Sequence, residues 1–368
     1  MFNSGRNLGR NLGQNLSRHL GLDFGSIKSI SLSLLIGFIG AGLASLLGVP
    51  APALLGSTFA VSAASFFGLP MKMSLFLRNI GFTTIGCSLG TGITPEIINN
   101  AARWPLSLVV LTLLLLLIMF VTSLILVRFF KLSKGTAVLS TSPGALSYTL
   151  ALAEAGMGDI KTVSILQSLR LLIITICLPI ILSTVGEEGQ FSLHVTPAWL
   201  PYGHSLILMA AVYAAGLLGT KLRIPAAYIL IGMVISGSLH ASGLLVGNMP
   251  KEILFIGFTL TGAVVGARFS TISRHDLKGL LIAAVTIFLV SSALTATVSF
   301  FMSGFLGVPF GQIWVAYASG GVEAMAAMAL SLDYDPAFVA THHIFRILFL
   351  ILMLPLLIRF LTRDKKEA

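Results

Sequence analysis

The residues of this chain that could do chemistry are few, and they sit inside long apolar runs. They are Arg170, Glu323, His342, His343 and Arg346, with Glu154 near the end of a run. A charge surrounded by apolar sequence is costly, so it faces either a partner or a watered cavity. Arg170 and Arg346 each stand nine residues before a proline, Pro179 and Pro355. The expected partner of Arg346 is Glu323, and that of Arg170 is Glu154. Such pairs are purely structural in one reading. In the other, the two guanidiniums grip an anionic group in bidentate fashion. Glu323, His342 or His343 would then carry a proton, since imidazole titrates near neutral pH.

Two segments around these residues are too polar and too broken by Gly and Pro to be ordinary apolar helices. They are STSPGALSYTLALAEAG at 140–156 and ASGGVEAMAAMALSLDYDP at 318–336. An interrupted helix leaves backbone groups unpaired, which is tolerated only against protein or a watered cavity. Paired interruptions of this kind mark binding sites in transporters. The candidates are Ser142, Pro143 and Gly144 in the first segment, and Ser319, Gly320 and Gly321 in the second, with Gln167 one turn before Arg170. The competing reading is tight helix packing through small residues.

Other chemistries find little support. The chain has 7 histidines. The adjacent pair His342 and His343 points about 100° apart on a helix, not at one metal. HExxH, CxxC, a Ser–His–acid order and a GxxxxGK[ST] loop are all absent from the sequence. No enzyme activity, metal or cofactor is therefore expected. Cys87 and Cys177 lie within apolar runs and say nothing about redox compartment.

The elements that must position these residues follow from composition. The chain of 368 residues is 56% hydrophobic and 10% charged, against about 25% charged in a soluble domain. Its mean hydropathy is +0.96. Apolar runs lie at about 27–47, 51–67, 74–92, 105–128, 136–156 and 161–185. After a polar gap they resume at about 203–220, 225–241, 251–268, 278–303, 311–332 and 336–360. A span needs about 20 apolar residues. The net charge of +10 sits mostly between these runs, as the positive-inside bias requires, and forms no nucleic-acid patch.

An internal repeat organises the runs. IGFTTIGCSLG at 80–90 aligns with IGFTLTGAVVG at 256–266, an offset of 176 with six of eleven positions identical; the same offset places Arg170 on Arg346 and Pro179 on Pro355. The Gly spacing in both suits close helix packing. Thr83 and Thr259 are secondary candidates for a pathway. Six spans per half would make the repeats parallel, and an odd number would invert them. With the N-terminus inside, both arrangements place fourteen Lys and Arg inside and seven outside, so the charge rule supports the N-terminus inside and leaves the orientation open. Residues 1–26 place Leu8, Leu12, Leu16 and Leu20 on one helical face beside Arg6, Arg10 and Arg18. A short surface helix and a disordered basic tail both fit.

These residues resemble the AbrB family of bacterial membrane proteins, some of which carry an ammonia monooxygenase label. The resemblance covers about 35–360. It rests on LRNIGFTTIGCSLG, on STSPGALSYTLALAEAG with LQSLR, and on SGGVEAMAAMAL with DPAFVATHHIFR. The family is similar to the cation–proton antiporter and anion transporter superfamily, which implies inverted repeats and alternating access. The matching positions are Pro143, Gly144, Gln167, Arg170, Gly320, Gly321, Glu323, His342, His343 and Arg346. Ala145 stands where a second Gly is usual, and Tyr148 near where an acid is often found; Glu323 is thus left as the main carboxylate. The family name is shared with a soluble transcription factor, and some members are said to regulate gene expression. This chain has no segment for that DNA-binding fold, and a monooxygenase would need a metal centre.

The expectation is an all-α integral membrane protein with about 10–12 transmembrane helices in two homologous repeats, one interrupted helix in each. A basic tail (1–26), repeat 1 (27–185), a polar linker (186–202), repeat 2 (203–360) and a basic end (361–368) make up the chain. The expected function is secondary transport of a small anionic or zwitterionic solute coupled to H⁺ or Na⁺. The alternative is a membrane sensor that influences gene expression, and a membrane oxygenase is a remote third. The partners expected are the lipid bilayer, a small solute or ion, and a second copy in a homodimer, but no nucleic acid. The location expected is the bacterial inner membrane, N-terminus in the cytoplasm.

Overall fold

A computed structural model describes residues 24–91, 104–144, 146–185, 199–222, 224, 226–272 and 274–362. The tail reading for 1–26 therefore falls almost wholly outside the described residues, as does most of the linker. The order is α1 (Phe24–Leu46), α2 (Pro52–Phe66), α3 (Leu75–Thr91), α4 (Trp104–Phe129), α5 (Lys134–Thr141), α6 (Leu146–Leu152) and α7 (Ile160–Val185). There follow α8 (Tyr202–Lys221), α9 (Ala227–Ala241), α10 (Lys251–Ala267), α11 (Arg274–Leu306), α12 (Phe310–Tyr317), α13 (Val322–Ser331) and α14 (Pro336–Thr362). A π turn over Ala153–Met157 extends α6, and a 3₁₀ turn over Arg268–Thr271 extends α10. Among the described residues the only strand-like pairing is a bridge between Trp199 and Asn248.

α3 and α10, and α5 and α12, start and end 176 residues apart. The unusual left-handed residues Ala51 and Ala226 (φ 50° and 48°) precede α2 and α9.

The surface is inverted relative to a soluble protein. Leu35, Ile39, Leu43, Leu113, Phe120, Ile207, Leu289, Phe300 and Leu352 are exposed, whereas Arg170, Arg346, His342, His343, Gln167 and many Ser and Thr are buried. Among the described residues seven helices are long and apolar enough to cross a membrane, and α2, α9 and α13 are shorter apolar helices. An apolar environment outside supplies no hydrophobic drive between helices, so close packing of small residues takes its place. A Cβ on Gly86 would lie 2.6 Å from the Tyr228 carbonyl oxygen, and one on Gly40 would lie 2.4 Å from that of Gly56. The glycine runs are thus packing faces. Thr259 donates to the Phe255 carbonyl of its own helix at 2.8 Å, and Thr83 is buried.

Cross-helix contacts give the local directions. Thr58 Oγ1 donates to Gly262 O and Ser65 Oγ to Gly266 O, each at 3.3 Å, so α2 and α10 run parallel. Asn79 Nδ2 donates to Tyr228 Oη at 2.9 Å and Ser236 Oγ to Cys87 O at 2.7 Å, so α3 and α9 run parallel. Gly81 lies against Leu260 and Thr261, whereas Gly257 lies against Thr84. Those contacts advance in opposite senses, so α3 and α10 are antiparallel.

The broken segments correct one expectation. Neither is an interrupted helix that crosses the molecule; each is a re-entrant hairpin. Gly135 near the start of α5 sits against the Met157 carbonyl, and Asp159 N–H donates to Thr136 Oγ1 at 2.9 Å. Gly311 likewise sits against Tyr334, and Asp335 N–H donates to Gln312 Oε1 at 3.0 Å. Each chain segment goes in, breaks, and returns to the level it left. The reason lies in the break. Ser142 and Ala318 end their helices in extended backbone, Pro143 cannot donate a backbone bond, and Gly144 turns with φ 86°.

Candidate functional site

The two hairpin tips meet at the buried arginines. Arg170, on α7, is 2% exposed, and Arg346, on α14, is 1% exposed. Arg170 Nη1 donates to Thr141 O at 2.9 Å and Ser140 O at 3.5 Å, and its Nη2 donates to Ser142 O at 3.2 Å. Arg346 Nη1 donates to Ala318 O at 2.5 Å and Nη2 to Gly320 O at 2.6 Å. The last carbonyls of a helix have no partner within it and carry partial negative charge. Each guanidinium therefore clamps the C-terminal end of a half-helix, α5 or α12. The clamps are not independent, because a Cβ on Gly144 would lie 2.9 Å from Arg346 Nη2. The first hairpin tip thus rests on the arginine that holds the second.

Residues three positions before each arginine brace the same half-helices. Gln167 Nε2 donates to Leu139 O at 2.6 Å and to Thr149 Oγ1 at 2.8 Å. His343 Nε2 is 2.9 Å from Val315 O, which stands 176 residues after Leu139. His342 is bound separately. Its Nδ1 lies 2.7 Å from Phe338 O, so that nitrogen carries the proton and Nε2 accepts from Ser107 Oγ. The rings of Phe338 and Tyr317 enclose it at 4.0 and 5.8 Å.

The expected ion pairs are not the ones formed. Among the described residues no ion pair joins Arg346 to Glu323; instead Arg268 Nη2 lies 3.6 Å from Glu323 Oε1. Arg170 does not hold Glu154, which is exposed in the π turn at the hairpin's outer end. The arginines take backbone carbonyls instead because these lie at the same depth, in fixed positions, and need a donor.

Glu323 occupies the first turn of α13, just after the second break, and a Cβ on Gly321 would lie 3.2 Å from its Oε2. Arg268 follows the end of α10. Their side chains are 18% and 25% exposed. Behind Glu323, Val322, Ala326 and Ala327 pack into an apolar cluster with Leu54, Ile85, Leu89 and Phe258. That cluster ties the second hairpin to α2, α3 and α10.

The structure thus brings together Ser142, Pro143, Gly144, Gln167 and Arg170 with Ser319, Gly320, Gly321, Glu323, His343 and Arg346, and leaves His342 in an aromatic pocket beside them. Sequence reasoning missed Arg268 and Ser107. A signal for Arg268 existed: at the offset of 176, Arg268 falls on Gly92 and Glu323 on Ser147. Both partners of the pair are thus charges without a counterpart in the first half.

Comparison with known proteins completes the picture. A model of the family described as "Transition state regulatory protein AbrB" matches residues 53–362. "Putative regulator AbrB" of Escherichia coli (strain K12) is 25% identical over 345 residues, 93% of this chain and 97% of the relative. "Uncharacterized protein YhjN" of Bacillus subtilis (strain 168) is 22% identical over 317 residues, 78% of this chain and 81% of the relative.

Proposed function

This chain belongs to the AbrB family, and on that premise we propose that it is a multi-pass secondary transporter of a small anionic or zwitterionic solute, coupled to H⁺ or Na⁺. The observation that carries the reading is the meeting of two broken hairpins at two buried arginines. Half-helix ends at mid-depth, presented by two related sets of helices, are the usual site of a transported solute. The electrostatics favour an anion. Arg170 and Arg346 offset the negative ends of α5 and α12, and the positive N-terminal end of α13 remains. Glu323 alone opposes it among the charged groups at the tips.

We read the two sets of seven helices as inverted repeats. The antiparallel α3 and α10 support this, together with the parallel pairs α2 with α10 and α3 with α9. Five crossings in each half, α1–α4 with α7 and α8–α11 with α14, then suffice. The first hairpin enters from the end where α1 starts and the second from the opposite end. This arrangement breaks the tie in the charge count. Because 136–156 is a hairpin and not a crossing, Lys161 joins Lys72, Arg128, Lys131 and Lys134 on one side. Lys221, Arg268 and Lys278 join them there, and Lys251 faces the other way. The positive-inside rule makes the crowded side the cytoplasm of a bacterial inner membrane, with the N-terminus in it.

A proteoliposome uptake screen under imposed pH and Na⁺ gradients tests the function. Accumulation of a solute that is lost with Arg346→Ala and Glu323→Gln is the expected outcome. Failure of every solute to move, with a cellular phenotype indifferent to both substitutions, would sink the reading. One observation favours a second reading, a membrane sensor: the E. coli relative is named a regulator. Deleting residues 1–25 separates the two, since a sensor would lose its output and a transporter would keep its flux.

A further inference from the structure

The transporter reading leaves open what the coupling ion is and how it is tied to the solute. The Arg268–Glu323 pair addresses both. Its 3.6 Å separation exceeds the roughly 2.7–2.9 Å of a charge-assisted hydrogen bond. Both side chains are partly exposed, and Glu323 stands in the first turn of α13. The carboxylate is therefore held loosely on a cation that another anion can reach. Arg268 lies at the end of α10, the side proposed as cytoplasmic.

A cation site between the tips is poorly provided for. The carbonyl oxygens freed by the two breaks are the natural ligands of Na⁺ at such places. Here the oxygens of Ser140, Thr141, Ser142, Ala318 and Gly320 already accept from Arg170 and Arg346. The Nε–H of each arginine is buried and lacks a partner among the described residues, so these groups offer donors, not acceptors.

We infer, resting on the transporter reading, that the solute is a carboxylate anion that displaces Glu323 from Arg268, and that the freed Glu323 takes up a proton. The exchange balances. One carboxylate–guanidinium contact breaks, an equivalent one forms, and the incoming negative charge is matched by one proton on Glu323. A carboxylate without its cation at this depth is costly as an anion and cheaper protonated.

Among the described residues, the helices packed around Glu323 carry no second carboxylate beside it. α2, α12 and α13 itself contribute no further charged residue, and α3 contributes only Arg78, which bonds Asn79 and stacks over Phe82. Lys251 and Glu252 stand at the far end of α10. On α7, Arg170 is spent on α5, and Lys161 pairs with Asp276. On α14, Arg346 is spent on α12, and His343 binds a carbonyl through Nε2 and leaves Nδ1 buried without a partner among the described residues.

The test uses the purified full chain in weakly buffered detergent with a pH indicator. The probes are the sodium salts of acetate, lactate and succinate, with acetamide as the neutral control. At least one carboxylate is expected to raise the melting temperature, with uptake of about one proton per chain for each carboxylate group docked on Arg268. Glu323→Gln should bind the same carboxylate without taking up a proton. Arg268→Gln should bind it roughly tenfold or more weakly, as when one partner of a charge pair is removed. The inference is overturned if the carboxylate binds wild type without proton uptake, if Glu323→Gln takes up as much as wild type, or if Arg268→Gln binds undiminished. It is equally overturned if none of the three carboxylates shifts the melting temperature. Any of these results leaves the transporter reading intact when uptake of a cationic or neutral solute is found, and that reading falls separately if no solute of any class moves.

Discussion

Replacing Arg346 by lysine separates a structural clamp from a solute ligand. The guanidinium makes two short bonds, to Ala318 O at 2.5 Å and Gly320 O at 2.6 Å, at a site 1% exposed. A hydrogen bond to a charged group contributes roughly 1.5–3 kcal/mol. Lysine brings one compact ammonium in place of a planar fork. It can keep the charge at the half-helix end but not both bonds at once. The expected loss is thus one bond, roughly 1.5–3 kcal/mol, plus a carbonyl left unsatisfied. Since about 1.4 kcal/mol is tenfold in an equilibrium, the lost bond alone should raise the population of opened hairpin roughly ten- to a hundredfold, and the stranded carbonyl raises it further. Arg346→Leu should cost about twice as much, because both carbonyls are stranded. The assay is unfolding in detergent followed by circular dichroism, with proteolysis of the second hairpin as a local readout. If Arg346→Lys unfolds as wild type does and its hairpin stays protected, while solute uptake is lost, the clamp argument is wrong and the arginine acts on the solute.

Further outcomes follow from the same geometry. Gly144→Ala should destabilise by roughly 1–3 kcal/mol, because the turn needs φ 86° and the new Cβ would crowd Arg346 Nη2 at 2.9 Å; a melting curve checks it, and an unchanged midpoint would contradict the contact. Gly86→Ala should cost roughly 1–3 kcal/mol, since its Cβ would meet the Tyr228 carbonyl at 2.6 Å, whereas Gly42→Ala, with open space around it, should be silent or slightly stabilising. Asp159 caps α7 through a 2.8 Å bond from the Thr162 amide, and hydrogen bonds from the Thr162 side chain and then its amide hold the carboxyl below the usual aspartate value. A depressed folded value means that the contribution is present above the unfolded value, near pH 4, and is lost as pH falls through the folded one. Hydrogen exchange in the first turn of α7 should therefore quicken on acidification below that range. Asp159→Ala should quicken it by about fivefold at neutral pH, corresponding to roughly 1 kcal/mol; no change would show the cap to be idle.

Much of the helical fold was legible in the sequence because apolar length is a local property. The runs at 27–47, 105–128, 161–185 and 336–360 correspond to α1, α4, α7 and α14 within a few residues, since a bilayer-length apolar segment has few ways to satisfy its backbone other than as a helix. The offset of 176 that matched Arg170 with Arg346 also matches the bounds of α5 with α12 and α3 with α10. The breaks at Pro143–Gly144 and Gly320–Gly321 were visible for the same reason: Pro and Gly act on the backbone next to them. The run 136–156 was misjudged as a crossing because hydropathy registers depth in apolar surroundings, not direction. A hairpin that enters and returns is as apolar as a helix that passes through.

The partners of the charges needed the tertiary structure. In the sequence, Arg346 and Glu323 are the obvious pair, being close along the chain and opposite in sign. In space, Arg346 is committed to two carbonyls fixed by the break in α12, and Glu323 faces Arg268, 55 positions away along the chain. The sequence alone determined that the chain is helical and rich in membrane-length apolar segments, because composition and hydropathy are counted along one dimension. Only the tertiary structure decided which way α3 and α10 run past each other and which cation meets the lone carboxylate at the hairpin tips. Direction and pairing depend on distances between segments far apart in the chain, and packing sets those distances.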